Sequence, residues 1–189
     1  MDNPFQKLFD RYLTNEVARQ QVIDKLSIHL RTDNFKKKHI LIRENQTHEF
    51  AYFIVQGAAR CYYLKDGTEV HTWFAFENDM VGSLHNFKGA ASRETIELVE
   101  DSTIITINFG KLKPLMTSDV GVANFVYAIV EEYALFLEEK IQHAQLTTSM
   151  DRYLSLLEHE PQIFQRIPLT YIASYLGISR ETLSRLRAR

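Results

Sequence analysis

Apolar and polar positions follow two different periods along the chain, and the changes of period divide it. Residues 3–13 and 14–30 read as helices. Val17, Val22, Ile23, Leu26 and Leu30 give the second an apolar stripe, and Thr14 is placed to cap it. Across residues 35–109 the pattern shortens to strand-like runs. They are Ile40, Leu41 and Ile42; Tyr52, Phe53, Ile54 and Val55; Cys61, Tyr62, Tyr63 and Leu64; then residues 72–76, 96–99 and 103–107. Turn signals separate them: Glu44-Asn45, Gln56-Gly57, Lys65-Asp66-Gly67-Thr68, Glu77-Asn78-Asp79 and Glu100-Asp101-Ser102. Asp66-Gly67 is the clearest hairpin signal. Short strands at near-regular spacing predict an antiparallel β-roll or jelly-roll barrel, not a parallel sheet.

Helical periodicity then returns. Residues 109–117 read as a short helix or turn, and a long helix runs from Asp119 to about Thr147. Its apolar positions, Val122, Val126, Ile129, Val130, Tyr133, Phe136, Leu137 and Ile141, form a stripe wide enough to face both the barrel and a second copy of itself, with an ordinary core helix of a monomer as the alternative. A helix at 149–158 and a loop at 160–165 lead into Ile167-Pro-Leu-Thr-Tyr-Ile-Ala-Ser-Tyr-Leu-Gly-Ile-Ser-Arg-Glu-Thr-Leu-Ser-Arg-Leu-Arg-Ala-Arg189.

That last stretch reads as two helices joined at Gly177-Ile178-Ser179. Ile172, Leu176, Ile178, Leu183 and Leu186 fall on one side, and Ala173 offers the small side chain that two crossing helices need. Gly177 suits a left-handed C′ position, and Ser179 a helix N-cap with Glu181 in the first turn. Ser179, Arg180, Glu181, Ser184 and Arg185 then lie outward, followed by Arg187 and Arg189. This is the pattern of a DNA-reading helix-turn-helix whose helix at 179–189 enters the major groove. Arginine can donate twice to guanine and glutamate can accept from cytosine, while serine and arginine also suit phosphate. A purely structural helical hairpin is the alternative.

Composition narrows the setting. The 189 residues are 45% hydrophobic and 12% aromatic, ample for a packed core, and the net charge is −2. A DNA partner therefore requires local positive charge, which the four arginines from Arg180 onward supply. The single cysteine, Cys61, excludes an internal disulfide and a cysteine zinc site, and its apolar run marks it as inert core. Residues 1–10 do not read as a signal peptide. The most apolar run, 120–137, holds Asn124, Glu131 and Glu132 and reads as a poor membrane span. A cytoplasmic protein without a membrane partner is expected.

The order barrel, long helix, helix-turn-helix resembles the Crp/Fnr family of bacterial transcription regulators, most specifically through Ile178-Ser-Arg-Glu-Thr-Leu-Ser-Arg185. The resemblance implies an α+β chain of three parts. Residues 1–118 would form a cyclic-nucleotide-binding-like barrel with flanking helices, 119–147 a dimerisation helix, and 148–189 the DNA-binding head. It implies a homodimer on double-stranded DNA at a near-palindromic site, with RNA polymerase as a further partner of an activator. Arg180, Glu181 and Arg185 would read bases, and Ser179 would touch phosphate.

The resemblance breaks at the effector site. Cyclic-nucleotide binders of the family carry Gly-Glu and, some ten residues on, Arg-Ser. Here Gly82 is followed by Ser83, and Ser92-Arg93 is reversed, which on a strand sends the arginine to the other face. Leu137-Glu138 stands where cyclic AMP receptors have a hydroxyl pair. No cofactor is expected. Gly82, Ser83 and Arg93 are candidates to line a pocket for a small-molecule effector other than cyclic AMP; a former pocket turned into core is the alternative. The sequence also stops just after the reading helix, so a β-hairpin wing is expected to be missing or minimal, with fewer phosphate contacts.

A cupin-like metal enzyme is the rival for such a barrel. His29, His39, His48, His71, His85, His143 and His159 contain no close His-x-His pair, and no nucleophile elbow, P-loop or dinucleotide fingerprint occurs. No catalytic residue and no metal site is expected. A sensing or protein-interaction module that no longer binds DNA is the remaining alternative. The arginines and Glu181 together on one helix face argue against it.

Overall fold

The computed structural model describes residues 4–145 and 148–188. Asn3, Thr147 and Arg189, placed above at element ends, lie outside these. Two helices open the chain, α1 (Pro4–Tyr12) and α2 (Glu16–Leu26). Asn15, not Thr14, caps α2. Its backbone is extended and its side chain accepts from the Ala18 N–H at 3.0 Å. The helix stops at Leu26, a 3₁₀ turn follows, and Leu30 already begins a strand, β1 (Leu30–Phe35). Charged residues at outward positions hid this strand from a hydrophobicity reading. It pairs only with the last strand, so Arg31 can stay solvated at the sheet edge. Val22, Ile23 and Leu26 are buried, but Val17 is 71% exposed and does not belong to the core stripe.

The barrel continues with β2 (Ile40–Ile42), β3 (Phe50–Gln56), β4 (Ala59–Lys65), β5 (Thr68–Ala75), β6 (Met80–Val81), the one-turn helix α3 (Leu84–Phe87), β7 (Thr95–Leu98) and β8 (Ser102–Asn108). All pairings are antiparallel, in two four-stranded sheets ordered β1-β8-β3-β6 and β2-β7-β4-β5. The α+β architecture expected from the sequence is the one observed. Asp66 and Gly67 turn the β4–β5 hairpin with φ of 51° and 78°, so Lys65 faces Thr68 across a two-residue loop. Leu41, Ile42, Ile54, Cys61, Ile96, Leu98 and Ile104 fill the space between the sheets. Cys61 is fully buried, and burial pushes its thiol far above the usual range.

Helix α4 (Phe109–Met116) leads into the long α5 (Val120–Ala144), whose first turn the Asp119 carboxylate caps through the Val122 N–H at 3.1 Å. One face of α5 is core. Val122, Phe125, Val126 and Ile129 pack with Leu8, Phe9, Leu26 and Leu112 and with Phe53, Ile105 and Ile107 of the barrel. The Phe9 and Phe125 rings lie 5.0 Å apart. Beside this face runs an exposed apolar seam: Val120, Tyr127, Val130, Leu137 and Ile141 repeat at heptad spacing. By length and composition Val120–Gln142 could also cross a membrane, at mean hydropathy 1.5. Its buried residues, Val122, Phe125, Val126 and Ile129, pack on α1, α2 and the barrel and lie in the first half of the helix.

Helix α6 (Ser149–His159) starts with a capping box between Thr148 and Asp151. The loop expected at 160–165 contains instead the short helix α7 (Ile163–Arg166). Ile163 and Ile167, four residues apart, are both buried and draw that segment into a turn. Helices α8 (Leu169–Tyr175) and α9 (Arg180–Arg187) complete the chain.

The C-terminal helices are docked on the barrel. Their core, with Leu156, Ile163, Ile172, Leu176 and Leu183, is continuous with Ala58, Phe74, Phe76 and Val99 of the β-roll. Ser174 of α8 accepts from the His71 N–H at 3.2 Å and donates to the Glu69 carbonyl at 3.1 Å, so α8 closes the free edge of β5. Arg166 pairs with Glu77 at 2.7 Å and also with Glu100. Glu77 is preset by the N–H of Gly57 at 2.8 Å. Gly57 is obligatory there, because at φ +118° a Cβ would collide with Ser102.

Arg166 holds the Glu77 carboxyl down at about 2, with the Gly57 N–H assisting. A carboxyl depressed on folding stabilises above its unfolded value and loses that contribution as pH falls toward its folded value. The docking contact is therefore expected to weaken between about pH 4.5 and 2. A Glu77→Gln variant should flatten that part of an acid-unfolding profile followed by circular dichroism.

Candidate nucleic-acid interface and effector cavity

The turn between α8 and α9 is built by two local devices. Ile178 N–H reaches the Ala173 carbonyl at 3.0 Å and Gly177 N–H the Ser174 carbonyl at 3.1 Å, with Gly177 at φ +67°, a Schellman ending of α8. Arg152 of α6 covers the Leu176 carbonyl through Nε at 3.2 Å. Ser179 then caps α9, its Oγ accepting from the Thr182 N–H at 3.1 Å. Leu183 is fully buried, and Ala173 is buried where the helices cross. The axis of α9 is thus set by buried contacts on one side and a cap at its start.

Ser179, Arg180, Glu181, Ser184 and Arg185 are all exposed, and Arg187 continues the cationic edge. Arg185 reaches Thr182 Oγ1 at 3.3 Å and keeps its remaining donors. The Glu181 carboxyl lies below the usual range, held first by its own backbone N–H and then by the Ser179 hydroxyl. It is an anion at neutral pH, acceptor-only. The face therefore offers guanidinium donors and one carboxylate acceptor side by side, the groups that read guanine and cytosine edges. The Ser179 hydroxyl is engaged in capping, so its role in the helix is partly structural.

A cavity of about 490 Å³ lies between the barrel and α5. Gly82 and Ser83 line it, and Ser83 also caps α3 by accepting from the Asn86 N–H at 3.4 Å. Arg93 sits on the exposed turn before β7 and does not line it, while its neighbour Ser92 is buried. The structure therefore brings two of the three candidate residues together.

Trp73, Phe76, Tyr133 and Phe136 give the cavity aromatic walls. Its charged groups are Arg11 against Asp79, Glu132, Glu139 and Glu160. Arg11 is already paired with Glu132, which also accepts from the Tyr12 hydroxyl. Burial raises the Asp79 and Glu160 carboxyls. The lining is apolar and acidic.

Sequence reasoning missed these residues. They come from α1, β5, the turn before β6, α5 and the end of α6, and no local motif joins them. The lone tryptophan was the one residue type that could have drawn attention. It also missed Arg60, 4% exposed on β4, which pairs with Glu69 and with Glu97 at 3.2 Å. The Arg60 guanidinium lies between the Tyr62 and Tyr171 rings at 4.3 and 4.2 Å. His71 stacks on the same Tyr171 at 4.6 Å, its imidazole pushed down to about 4 by burial and then by Arg60. Tyr171 belongs to α8, so this cluster is a second tie between the barrel and the C-terminal helices.

Residues 32–119 match the cyclic nucleotide-binding domain. The match covers the barrel from β1 to the start of α5. Solved structures share the fold over most of the chain. FixK2 from Bradyrhizobium japonicum is 23% identical at TM-score 0.69, over 84% of this chain and 83% of its own. The c-di-GMP-responsive global regulator CLP from Xanthomonas campestris is 17% identical at TM-score 0.70, over 92% and 90%. A protein of Eubacterium rectale described as a transcriptional regulator of the Crp/Fnr family is 24% identical at TM-score 0.68, over 91% and 81%. No curated protein matches the chain. The fold, a cyclic nucleotide-binding domain followed by a long helix and a C-terminal helical head, is thus one found in regulators. Among the described residues no three His, Cys, Asp or Glu side chains are placed to hold a metal ion.

Proposed function

We propose that this protein is a cytoplasmic homodimeric transcription regulator that reads a near-palindromic DNA site with α9. The reading rests on one observation: Ser179, Arg180, Glu181, Ser184 and Arg185 form an exposed polar face on a helix held at its start by a cap and along its other side by Leu183. The apolar heptad seam of α5 is the complementary surface for a second copy. Two heads about one helical turn of DNA apart, roughly 34 Å, would meet successive major grooves. RNA polymerase is a further partner if the protein activates.

The cavity beside Gly82 and Ser83 is the effector site of this reading, and cyclic AMP is a poor occupant for it. A cyclic phosphate needs a cation, and the one arginine in the wall already has a carboxylate partner.

Selection of bound sequences from random DNA tests the function, the symmetry and the half-site spacing together. Recovery of an inverted repeat is expected, and recovery of no enriched sequence would refute DNA reading in favour of an interaction module. On the selected site, Arg180→Ala or Arg185→Ala should each relax preference at one base pair by about 1–3 kcal/mol, measured by competition binding. If neither substitution changes any base preference, α9 is not the reading helix.

A further inference from the structure

Where β5 meets α5, α6 and α8, a second cavity of about 390 Å³ opens; it shares the Trp73, Tyr133 and Phe136 wall with the one beside Gly82 and differs from it in its charged lining. Trp73, Tyr133, Phe136 and Tyr175 contribute aromatic wall, and Leu137 and Leu156 contribute aliphatic wall. Lys140 and Arg152 are its cations, and Glu94 is the one carboxylate among its described lining residues. The charge balance is the reverse of the acidic barrel cavity.

Lys140 is the unusual member. It is part-buried near the end of α5, with its ammonium 4.3 Å from the Tyr175 ring centroid and 5.2 Å from that of Phe136, and it donates to the Tyr175 hydroxyl. Among the described residues no carboxylate is ion-paired with it. Burial drives its amine down to about 8, and the more distant Glu160 and Glu139 offset this only in part. Ring faces and one hydroxyl replace little of the hydration that an ammonium loses on burial. A lysine with no binding role would extend its flexible stem and keep its head in water. This one is held inward, beside an open volume of the size that small ligands fill.

We propose that this junction cavity binds a small apolar carboxylate, its carboxyl group on Lys140 and its aromatic or branched hydrocarbon body against Trp73, Tyr133 and Phe136. The carboxylate supplies the missing counter-charge in a site of low dielectric, where a charge-assisted hydrogen bond is strong. The hydrocarbon part exchanges water for ring and aliphatic surface. The site lies where the barrel, the long helix and two C-terminal helices meet, so an occupant sits beside each part whose arrangement matters for DNA reading. Occupancy itself is independent of DNA binding, and its test contains no DNA.

The full chain is titrated with phenylacetate and isovalerate, with phenylacetamide and isovaleramide as uncharged controls, and the emission of Trp73, the chain's one tryptophan, is followed. Saturable binding of the acids is expected, at least about tenfold tighter than of the amides. Lys140→Met, which keeps the stem and removes the charge, should lose at least about tenfold in acid affinity and leave amide binding unchanged. The wild type provides a check that needs no variant. Acid affinity should be level from about pH 6, where the ligand is fully ionised, to about pH 8, and fall roughly tenfold per pH unit above that, as the ammonium deprotonates. The other groups around Lys140 do not mimic this. His71 on β5 titrates near 4 and Tyr175 on α8 near 12. Glu94, Glu139, Glu160 and Arg152 are the other charged groups around Lys140. Equal affinity for acid and amide, an acid affinity flat from pH 7 to 10, or no saturation by either acid at about 10 mM would each overturn the proposal.

Discussion

Replacing Tyr127 and Ile141 together by glutamate is expected to turn the protein into a folded monomer that no longer holds its DNA site. These side chains are 63% and 62% exposed, fourteen residues and thus two heptads apart on the outer seam of α5. In a single chain the change costs about 1 kcal/mol or less, because both positions are exposed and the losses are the bond that the Tyr127 hydroxyl donates to Glu131 at 3.0 Å and a like-charge pair in its place. Between two copies it places four carboxylates in an apolar seam, each without a counter-charge. Sedimentation should show one chain in place of two. A monomer engages one half-site only, so specific affinity should collapse toward the non-specific level, a loss of about a thousandfold or more. If the variant remains a dimer, the seam of α5 is not the dimer contact.

Leu183→Ala should strongly destabilise the C-terminal head. Leu183 is fully buried between α8 and α9 and joins the core that runs into Phe74, Phe76 and Val99 of the barrel. Truncating it leaves a cavity in a place the neighbouring helices can fill only by shifting, at a cost of about 2–5 kcal/mol. Leu154→Ala is the matched control, on the neighbouring helix α6 and 51% exposed, and should stay within about 0.5 kcal/mol. Chemical denaturation followed by circular dichroism reads both. DNA affinity should fall with Leu183→Ala although the residue faces away from the reading surface, because the axis of α9 is set by that contact. Equal stability of the two variants would mean that α9 is not anchored by Leu183.

Much of the chain was legible because its signals are local. Gly177 and Ser179 act within a few residues of themselves, one through backbone freedom and one through a hydroxyl near an N–H. The β4–β5 hairpin was visible for the same reason, in a dipeptide whose positive φ angles match the turn. Cys61 was correctly taken as core from its apolar run. The failures were also physical. β1 was invisible because an edge strand can be polar on its solvent side. The Thr14 cap was one residue off because either residue could offer an oxygen, and the entry angle of the chain selects Asn15. Arg93 was paired with Gly82 and Ser83 by analogy of position, whereas the turn before β7 carries it to the surface.

The sequence by itself determined the order of the parts, the barrel's antiparallel character, the two-sided long helix and the face of α9 that meets solvent. Each of these follows from periodicity, a cap or a turn, which act over one or two turns of chain. Tertiary structure alone decided where charge ended up. It brought Glu77 to Arg166 and Arg60 to Glu69, Glu97 and Tyr171, and it gathered carboxylates around one cavity and Lys140 and Arg152 around the other. Burial and distance set these energies, and both are created only when segments far apart in the chain pack together.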